Sequence, residues 1–267
     1  MKFLKKGLQS AIEGLGYSFR RRTRTQDIEQ LLETLYPKNS GIELIRLGGD
    51  NDGGYLIPDD LDGVSACFSP GVDATSAFEL DCSKRGMALY LSDASVASVG
   101  PELRGTNYSF EQKFIGVSND PLYQSMDEWV ASSKAPGGDL ILQMDIEGAE
   151  YESLINCSSQ LLDRFRVICI ELHHIGEWRN PRYFEFVEKG LSRLTKNHDC
   201  VHTHPNNSAS LFSFEGIELP NVMELTFLRK DRMKGEGFVH TFPHSLDADC
   251  VAGKPSMALP RSWFASS

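Results

Sequence analysis

Three carboxylates follow an apolar run in the middle of the chain. The run spans residues 139–144, and Asp145, Glu147 and Glu150 come directly after it. A near-continuous apolar run is typical of a parallel strand that is buried on both faces. Because burying an unpaired charge is costly, acids at the end of such a strand indicate chemistry rather than stability. Ligands of open α/β sheets bind at the carboxyl ends of the strands, so we predict that Asp145 lies in an active site.

The other two acids have a second interpretation. Glu147 and Glu150 fit the first turn of a helix, where the helix dipole favours negative charge. We interpret Glu150 as structural and leave both roles open for Glu147.

Polar residues also recur where other predicted strands end. Apolar runs alternate with helical patterns from Val64 onward, which indicates a mainly parallel sheet covered by helices on both faces. The polar clusters at the strand ends are residues 69–76, Asp93, 118–120, 145–150 and 171–174. Since the carboxyl ends of parallel strands share one edge of a sheet, we predict that these clusters converge.

The first of these clusters indicates the type of cofactor. Gly71 lies in a turn before a predicted helix, where backbone N–H groups can meet a ligand, and Asp93 follows about 20 residues later, where an acid suits a ribose diol. A nicotinamide oxidoreductase is disfavoured because its pyrophosphate needs a G-x-G-x-x-G turn. A cofactor with a ribose and no phosphate fits better, and S-adenosylmethionine is the candidate. The predicted contacts are Ser69, Gly71, Asp93, Ser118, Asp120 and Asp145, although Asp120 fits a helix cap equally well.

The residues 144–150 (Met-Asp-Ile-Glu-Gly-Ala-Glu), preceded by 125–129 (Ser-Met-Asp-Glu-Trp), resemble the signature of FkbM-type S-adenosylmethionine-dependent O-methyltransferases. Weaker matches occur in the family's order at residues 46–55, 68–79, 202–207 and 220–225. The resemblance implies a class I methyltransferase fold, which is a Rossmann-like α/β sheet of seven strands, mostly parallel, with the last strand antiparallel. It also implies methyl transfer to hydroxyls, commonly of sugars or secondary metabolites, and it adds Glu79 to the cofactor contacts.

Methyl transfer to an alcohol needs help with the hydroxyl proton, and two routes are open. Asp145 and Glu171 end adjacent predicted strands, as in metal-dependent O-methyltransferases, so with His173 or His174 they could hold a divalent cation. Mg²⁺ prefers oxygen ligands, whereas a histidine ligand favours Mn²⁺ or Fe²⁺. Alternatively, His173 or His174 is a general base, and Glu171 pairs with an arginine or caps a loop.

Two further groups are candidates for binding the acceptor. His202 and His204 share one face of a short strand, and Asn206 and Asn207 follow them. We predict that this cluster recognises sugar hydroxyls or adds a metal ligand; the alternative is that it satisfies turn backbone. Asp52 and Tyr55, in a glycine-rich predicted hairpin, are assigned to the same pocket, and a plain tight turn is the alternative.

The whole chain suits one α/β domain with extensions. A net charge of −10 disfavours nucleic-acid binding through the general surface. Six scattered cysteines are interpreted as reduced thiols, and with no signal peptide or membrane-spanning run we expect a cytoplasmic protein. The predicted division is a basic amphipathic segment (1–24), a helix and hairpin cap (25–63), the catalytic core (64–231) and an irregular tail (232–267).

The basic segment 1–24 either lies on an anionic membrane surface, which would place the protein at the inner face of a membrane, or packs on its own domain. The sequence as a whole favours a methyltransferase that modifies a hydroxyl of a glycan, polysaccharide or glycosylated metabolite. The alternative is a degenerate methyltransferase fold that serves as a binding or scaffold domain. The fold alone would not be evidence for either the methyltransferase or the scaffold function.

Overall fold

The computed structural model describes residues 22–73, 75–117 and 120–266. Most of the predicted basic segment (1–24), together with Ser118, therefore lies outside the described residues. The strands are β1 (Leu44–Leu47), β2 (Tyr55–Pro58), β3 (Val64–Pro70), β4 (Ala88–Ser92), β5 (Tyr108–Glu111), β6 (Phe114–Ile115), β7 (Tyr123–Gln124), β8 (Asp139–Met144), β9 (Phe165–Leu172), β10 (His198–Pro205), β11 (Leu211–Phe214), β12 (Ile217–Pro220) and β13 (Met223–Arg229).

The α-helices connect or flank these strands. They are α1 (Thr25–Thr34), α2 (Ala77–Lys84), α3 (Met126–Ser132), α4 (Glu150–Asn156), α5 (Ser159–Leu162) and α6 (Pro181–Asn197). Short 3-10 turns occupy Pro101–Leu103, Ile175–Arg179, Lys230–Arg232 and Arg261–Trp263. The spacing of Ser125 and Glu128 predicts a capping box at the start of α3, and each accepts a hydrogen bond from the other's backbone N–H. No helix among the described residues is both long enough and apolar enough to cross a membrane.

A seven-stranded sheet forms the centre, with the strand order β10-β13-β9-β8-β3-β4-β5. The pairings from β9 to β5 are parallel, and β13 runs antiparallel to both of its neighbours. The predicted fold class, a mostly parallel seven-stranded sheet with an antiparallel last strand, is confirmed. The central strands β8 and β9 are buried almost throughout, as their continuous apolar runs indicated.

Helices cover both faces of the sheet. On one face, α1, α3, α4 and α6 pack a core that includes Trp129, Tyr151 and Val187. On the other face, α2 and the antiparallel β1–β2 hairpin pack a second core that includes Tyr55 and Phe78. The hairpin therefore lies beside the carboxyl ends of the central strands, where the predicted site residues are.

The predicted strand at residues 113–117 is wrong as a member of the main sheet. The third strand of the sheet is β5, and residues 114–115 instead pair with β7 in a separate two-stranded ribbon. The apolar signal of the segment reflects Ile115, which is buried in the core. As an edge strand, β5 is half exposed and carries no apolar run. The helical pattern of residues 150–162 predicts one helix, but the segment forms two, α4 and α5, because Ser158 caps the second with its side chain.

Arginine and aspartate side chains tie the amino ends of the central strands together. Asp139, at the start of β8, accepts hydrogen bonds from Arg166 (2.7 Å) and Arg229 (2.8 Å). Arg166 also donates to the backbone oxygens of Asp60 and Asp62. Burial acts to raise the pKa of Asp139, but the two guanidinium groups outweigh it and hold that pKa below its usual value. The network therefore stabilises the fold above the ordinary aspartate pKa, and this stability is lost as the pH falls through the lowered value.

We expect Asp139→Asn to lower the free energy of unfolding by about 1.5–3 kcal/mol, because hydrogen bonds to charged groups contribute that much. Urea unfolding at neutral pH measures the change. The matched control is Asp231→Asn, whose carboxylate also meets Arg229 but is 61% exposed; it should cost less than about 1 kcal/mol. Equal losses in the two variants would contradict a structural role for the Asp139 network.

Candidate active site

A cavity of about 330 Å³ opens at the carboxyl ends of β3, β4 and β8. Its walls come from the turn after β3, the start of α2, the end of β4 and the loop of the β1–β2 hairpin. Five of the predicted site residues line it: Asp52, Gly71, Glu79, Asp93 and Asp145. The volume lies at the lower end of the range for small-molecule sites.

Gly71 allows the turn after β3 to pack directly on the end of β8. Its φ of +81° is in the left-handed region, and a Cβ atom there would lie 1.5 Å from the carbonyl oxygen of Asp145. The N–H of Gly71 donates to the carbonyl of Ser92 (3.0 Å), and the N–H of Asp145 donates to that of Pro70 (3.3 Å). The turn is thereby fixed against the ends of both neighbouring strands, and only glycine fits there.

Asp93 ends β4 at the wall of the cavity. One of its oxygens, Oδ1, accepts hydrogen bonds from both the backbone N–H and the hydroxyl of Ser95, each at 2.6 Å. These bonds fix the orientation of the carboxylate, which suits a residue that is to bind a ribose.

The residues beneath the cavity form a buried polar network. The hydroxyl of Ser69 contacts the side chains of Glu79 and Gln143, and Gln143 Nε2 donates to the hydroxyl of Tyr55 at 3.3 Å. Burial raises the pKa of Glu79, which the Ser69 contact partly offsets. Ser69 and Tyr55, predicted to contact cofactor and substrate, lie in this supporting layer, whereas Glu79 and Gln143 reach the cavity.

Four carboxylates surround the imidazole of His173. Its Nε2 atom lies 3.7 Å from Asp145 Oδ1, 3.5 Å from Glu147 Oε2 and 3.6 Å from Glu171 Oε2. Its Nδ1 atom lies 3.0 Å from Glu150 Oε1. The predicted metal ligands Asp145, Glu171 and His173 are therefore together in the structure. Within the described ranges, His173 is the only cationic group that pairs with these four acids.

The crowding of charge changes the protonation of this cluster. Burial and the neighbouring carboxylate of Glu171 raise the pKa of Asp145 well above its usual range, and burial raises that of Glu171 as well. Burial alone would lower the pKa of His173, but the surrounding carboxylates, above all Glu150, raise it to about 9. Asp145 Oδ1 is buried and has no hydrogen-bond partner. Asp145, Glu147 and His173 offer ligand atoms within 4.8 Å of one another, so these residues could hold a cation.

Glu147 and Glu150 are held by the turn between β8 and α4. Glu147 adopts a φ of +55°, which is uncommon for a residue other than glycine, and it directs an exposed carboxylate toward His173. Glu150 is fully buried, and its Oε1 accepts hydrogen bonds from the backbone N–H groups of Ile146 (3.2 Å) and Gly148 (3.0 Å). Glu150 therefore stabilises the turn, which is a structural role, and its carboxylate also contacts His173 in the site.

Two further predicted residues lie outside the cavity. His174 is exposed, its φ is 58°, and its ring centre is 6.2 Å from that of His173. Asp120 is exposed and accepts a hydrogen bond from the N–H of Leu122 at 2.8 Å, whereas the helix that follows is capped by Ser125.

Strand register aligns the acidic cluster with the histidines of β10. Glu171 is opposite Glu224 on β13, and Glu224 is opposite His204 on β10. Burial, followed by the charge of Glu171, raises the pKa of Glu224 to about 8. Residues opposite one another point to the same face of a sheet. The row of polar side chains therefore extends from the catalytic edge toward the edge strand.

The predicted acceptor residues divide along this row. Asn206 donates to Glu171 Oε1 at 2.6 Å and so belongs to the acidic cluster. Asn207 bonds the backbone of Val251 through both its amide nitrogen and its oxygen. His202 and His204 instead meet Asp247, at 2.9 Å and 3.6 Å. These two histidines therefore lie beside the tail, separate from the acidic cluster.

A segment of the tail, residues 247–251, crosses the carboxyl end of β10 and the amino end of β13. Its Cys250 donates a hydrogen bond from Sγ to Glu224 Oε1 (3.0 Å), and the backbone carbonyl of Cys250 accepts one from the N–H of Asp52 (3.2 Å). This crossing segment joins the hairpin loop to the edge of the sheet. The sequence predicted the tail only as irregular, and nothing in its composition indicated these contacts.

Several site residues were missed from the sequence. Gln143, a polar residue between Leu142 and Met144 of β8, was a usable signal. Glu102 lines the cavity and accepts a hydrogen bond from the N–H of Ser76 (3.2 Å), but it comes from a loop that the strand pattern does not place. Glu224 and Asp247 join the row through register and through the tail, neither of which a local pattern reveals.

Comparison with protein-family models finds a match to part of the chain. Residues 89–200 match the family model "Methyltransferase FkbM domain". No significant match to a curated protein is found. The family match supports an S-adenosylmethionine-dependent methyltransferase and confirms the resemblance seen in the sequence over that range.

Solved structures that match part of this chain include two methyltransferases. One is the N-methyltransferase NodS from Bradyrhizobium japonicum WM9, with 12% identity over 62% of this chain and 86% of that chain, at a TM-score of 0.34. The other is magnesium protoporphyrin IX methyltransferase (ChlM) from Synechocystis PCC 6803 with bound SAM, with 11% identity over 64% and 72% of the two chains, at a TM-score of 0.27. Neither similarity bears on the substrate of this chain.

We expect Gly71→Ala to weaken binding of S-adenosylmethionine by about tenfold or more, because the added methyl group forces the turn away from Asp145. Calorimetric titration with the cofactor measures the loss. The matched control is Gly86→Ala, which has a similar φ (+84°) but no atom within 4 Å of the added carbon. The control should lose about 1–2 kcal/mol of stability from its left-handed backbone and keep its affinity. Unchanged affinity in Gly71→Ala would contradict a role for this turn.

Proposed function

With residues 89–200 matched to the methyltransferase FkbM domain, we propose that this protein is an S-adenosylmethionine-dependent O-methyltransferase that modifies a sugar hydroxyl with the help of a divalent cation. The observation that carries the proposal is the convergence of Asp145, Glu171 and His173 at one edge of the cavity that also contains Gly71 and Asp93. The acceptor is a glycan or a glycosylated metabolite.

The cavity supplies the contacts that an adenosyl cofactor needs. The turn at Gly71 brings backbone close to the ligand, and Asp93 is oriented by Ser95 to accept hydrogen bonds from a ribose diol. Asp145, at the other wall, lies between the cavity and the acidic cluster. S-adenosylmethionine supplies a methyl group on a positively charged sulfur, and the surrounding carboxylates favour a cation there.

Asp145, Glu171 and His173 are suited to hold a divalent cation, with Glu147 in reach of the same position. The carboxylate of Glu150 at His173 Nδ1 fixes the ring so that Nε2 faces the other acids, as in carboxylate–histidine–metal arrangements. Asp145 Oδ1 is buried and has no hydrogen-bond partner, which supports the proposal that a ligand binds at this position. A bound divalent cation would lower the pKa of a coordinated hydroxyl, and a set with one nitrogen and several oxygens favours Mn²⁺ or Fe²⁺ over Mg²⁺.

His173 is less suited to act alone as the general base. With a pKa raised to about 9, it holds a proton at neutral pH and cannot accept another. The exposed His174 lies outside the cavity. A cation at Nε2 must displace the same proton, so the cation-assisted route rests on the convergence of Asp145, Glu171 and His173 and not on this pKa.

The chain's own contribution is alignment of the two substrates. Methyl transfer from a sulfonium is an in-line displacement, and holding both partners in position can lower the barrier by roughly 7–11 kcal/mol. Gly71 and Asp93 fix the cofactor side, and Asp145 and Glu171 fix the side where the hydroxyl loses its proton. Asn206, which donates to Glu171, keeps one of its oxygens oriented.

A methyl-donor assay with labelled S-adenosylmethionine tests this proposal against a panel of sugars, oligosaccharides and glycosylated metabolites. We expect turnover with Mn²⁺ or Mg²⁺ and loss of turnover in EDTA. Asp145→Asn should reduce the rate by about 10²-fold or more, because several kcal/mol of charge stabilisation are lost. The matched control, Asp62→Asn, changes an exposed aspartate on a distant loop and should retain the wild-type rate.

Full activity in EDTA would show that no divalent cation is required. His173 would then be the candidate general base. Cofactor binding without turnover on any acceptor would instead favour the scaffold alternative.

The proposed metal site makes a prediction about pH. Because a cation and a proton compete for His173 Nε2, the apparent affinity for Mn²⁺ should rise with pH up to about 9 and level off above it. Titration of Mn²⁺ over a pH series that crosses this value measures the effect. Glu150→Gln should weaken Mn²⁺ binding by about 10- to 100-fold and move the rise to lower pH. Glu152→Gln, on the same helix, is the control, and equal effects of the two variants would contradict the assignment.

A further inference from the structure

A second cavity, of about 430 Å³, lies between the edge strand β10 and the tail. We call it the tail cavity; one wall is Thr203, His204 and Pro205 of β10, and the other walls come from residues 240–264. It does not share a lining residue with the cavity that contains Gly71 and Asp93. Its size is within the range of small-molecule sites.

The polar end of the tail cavity contains a buried group that lacks a partner. His204 lines the cavity and is 8% exposed, and its Nδ1 lies 3.6 Å from Asp247 Oδ2. Its Nε2 is buried and has no hydrogen-bond partner. Buried polar atoms are nearly always hydrogen-bonded, so an unpaired imidazole nitrogen beside a cavity indicates a ligand that would pair with it.

Two aromatic side chains, Phe242 and Phe264, also line the tail cavity. Their rings pack with centroids 5.0 Å apart at 43°, and the guanidinium of Arg261 lies 4.5 Å from the centre of the Phe264 ring. These contacts hold Phe264 in place before any ligand binds. A lining that combines aromatic rings with polar side chains matches a sugar ring, which has both an apolar C–H face and hydroxyl groups.

The strand register gives the distance between the tail cavity and the acidic cluster. His204 is opposite Glu224, which is opposite Glu171. Two steps between neighbouring strands amount to roughly 10 Å. A single sugar ring does not extend over both places, whereas two or more linked units do.

We propose that the tail cavity binds a sugar unit of the acceptor other than the one that is methylated, with His204 pairing a hydroxyl and Phe264 packing on the ring. That this sugar belongs to the acceptor rests on the proposed function; the binding itself does not. The cavity would then select oligosaccharides or multiply glycosylated molecules over single sugars.

Binding is tested without cofactor or turnover. Saturation-transfer NMR and calorimetry are run on the full chain with methyl glycosides and disaccharides of glucose, galactose, mannose and rhamnose, and with octyl β-glucoside. We expect at least one disaccharide to bind, and we expect Phe264→Ala and His204→Ala to weaken its affinity about tenfold or more. The matched control is Phe238→Ala, a 40% exposed tail residue outside the cavity lining, which should bind within about twofold of wild type.

Several outcomes would overturn the proposal. They are the absence of binding by every saccharide, binding that both cavity variants retain, and binding that Phe238→Ala loses equally. Saturation of the alkyl chain of octyl β-glucoside rather than its sugar protons would show that the ligand is apolar. If His204→Ala unfolds on heating before wild type, Phe264→Ala still decides the result, because its side chain lies in the tail.

The two proposals fail separately. Disaccharide binding in the tail cavity without methyl transfer would overturn the proposed function and leave the cavity assignment standing. Methyl transfer to single sugars, with equal rates for Phe264→Ala and wild type on longer acceptors, would overturn the cavity assignment. The proposed function would then stand.

Discussion

The concentration of carboxylates around one imidazole is the constraint on which this site depends. Glu150 and Glu171 are buried, Asp145 is half-buried, and His173 is the cation that pairs with them among the described residues. Such an arrangement is costly in an apo protein, because burial disfavours each charge and like charges repel. A positively charged ligand would reduce both costs, which is the physical reason for proposing a cation here.

The sheet makes this concentration possible. Parallel strands end at one edge, and their register places Asp145 beside Glu171 because Met144 is opposite Ile170. The antiparallel strand β13 then adds Glu224 to the row from the opposite chain direction. At the other end of the strands, Asp139 and its arginines hold the same register with full charge compensation. Among the described residues, the carboxylate of Asp139 at the amino ends of the strands is paired with two arginines. At the carboxyl ends, four carboxylates share the imidazole of His173.

The sequence allowed prediction of the parts that follow from local pattern. Apolar runs predicted β8 and β9, and the acids at the ends of these runs predicted Asp145 and Glu171. This was possible because a strand end and the polar residues at it are close together in the sequence. The edge strand β5 was misplaced because it is half exposed and lacks an apolar run. The contacts of His204 with Asp247 and of Cys250 with Glu224 could not be predicted, since they depend on antiparallel register and on an irregular tail.

The packing of Gly71 on Asp145 has a thermodynamic consequence. The turn and the end of β8 share a hydrogen bond between Pro70 and Asp145, and no space separates the glycine from the Asp145 carbonyl. A ligand that displaces the turn must therefore displace the carboxylate beside it, and the reverse also holds. Two ligands bound at these places are energetically linked, and each changes the other's dissociation constant by the same factor. The order in which the two ligands are added can change the rate at which the complex of the protein with both ligands forms. It does not change the free energy of that complex.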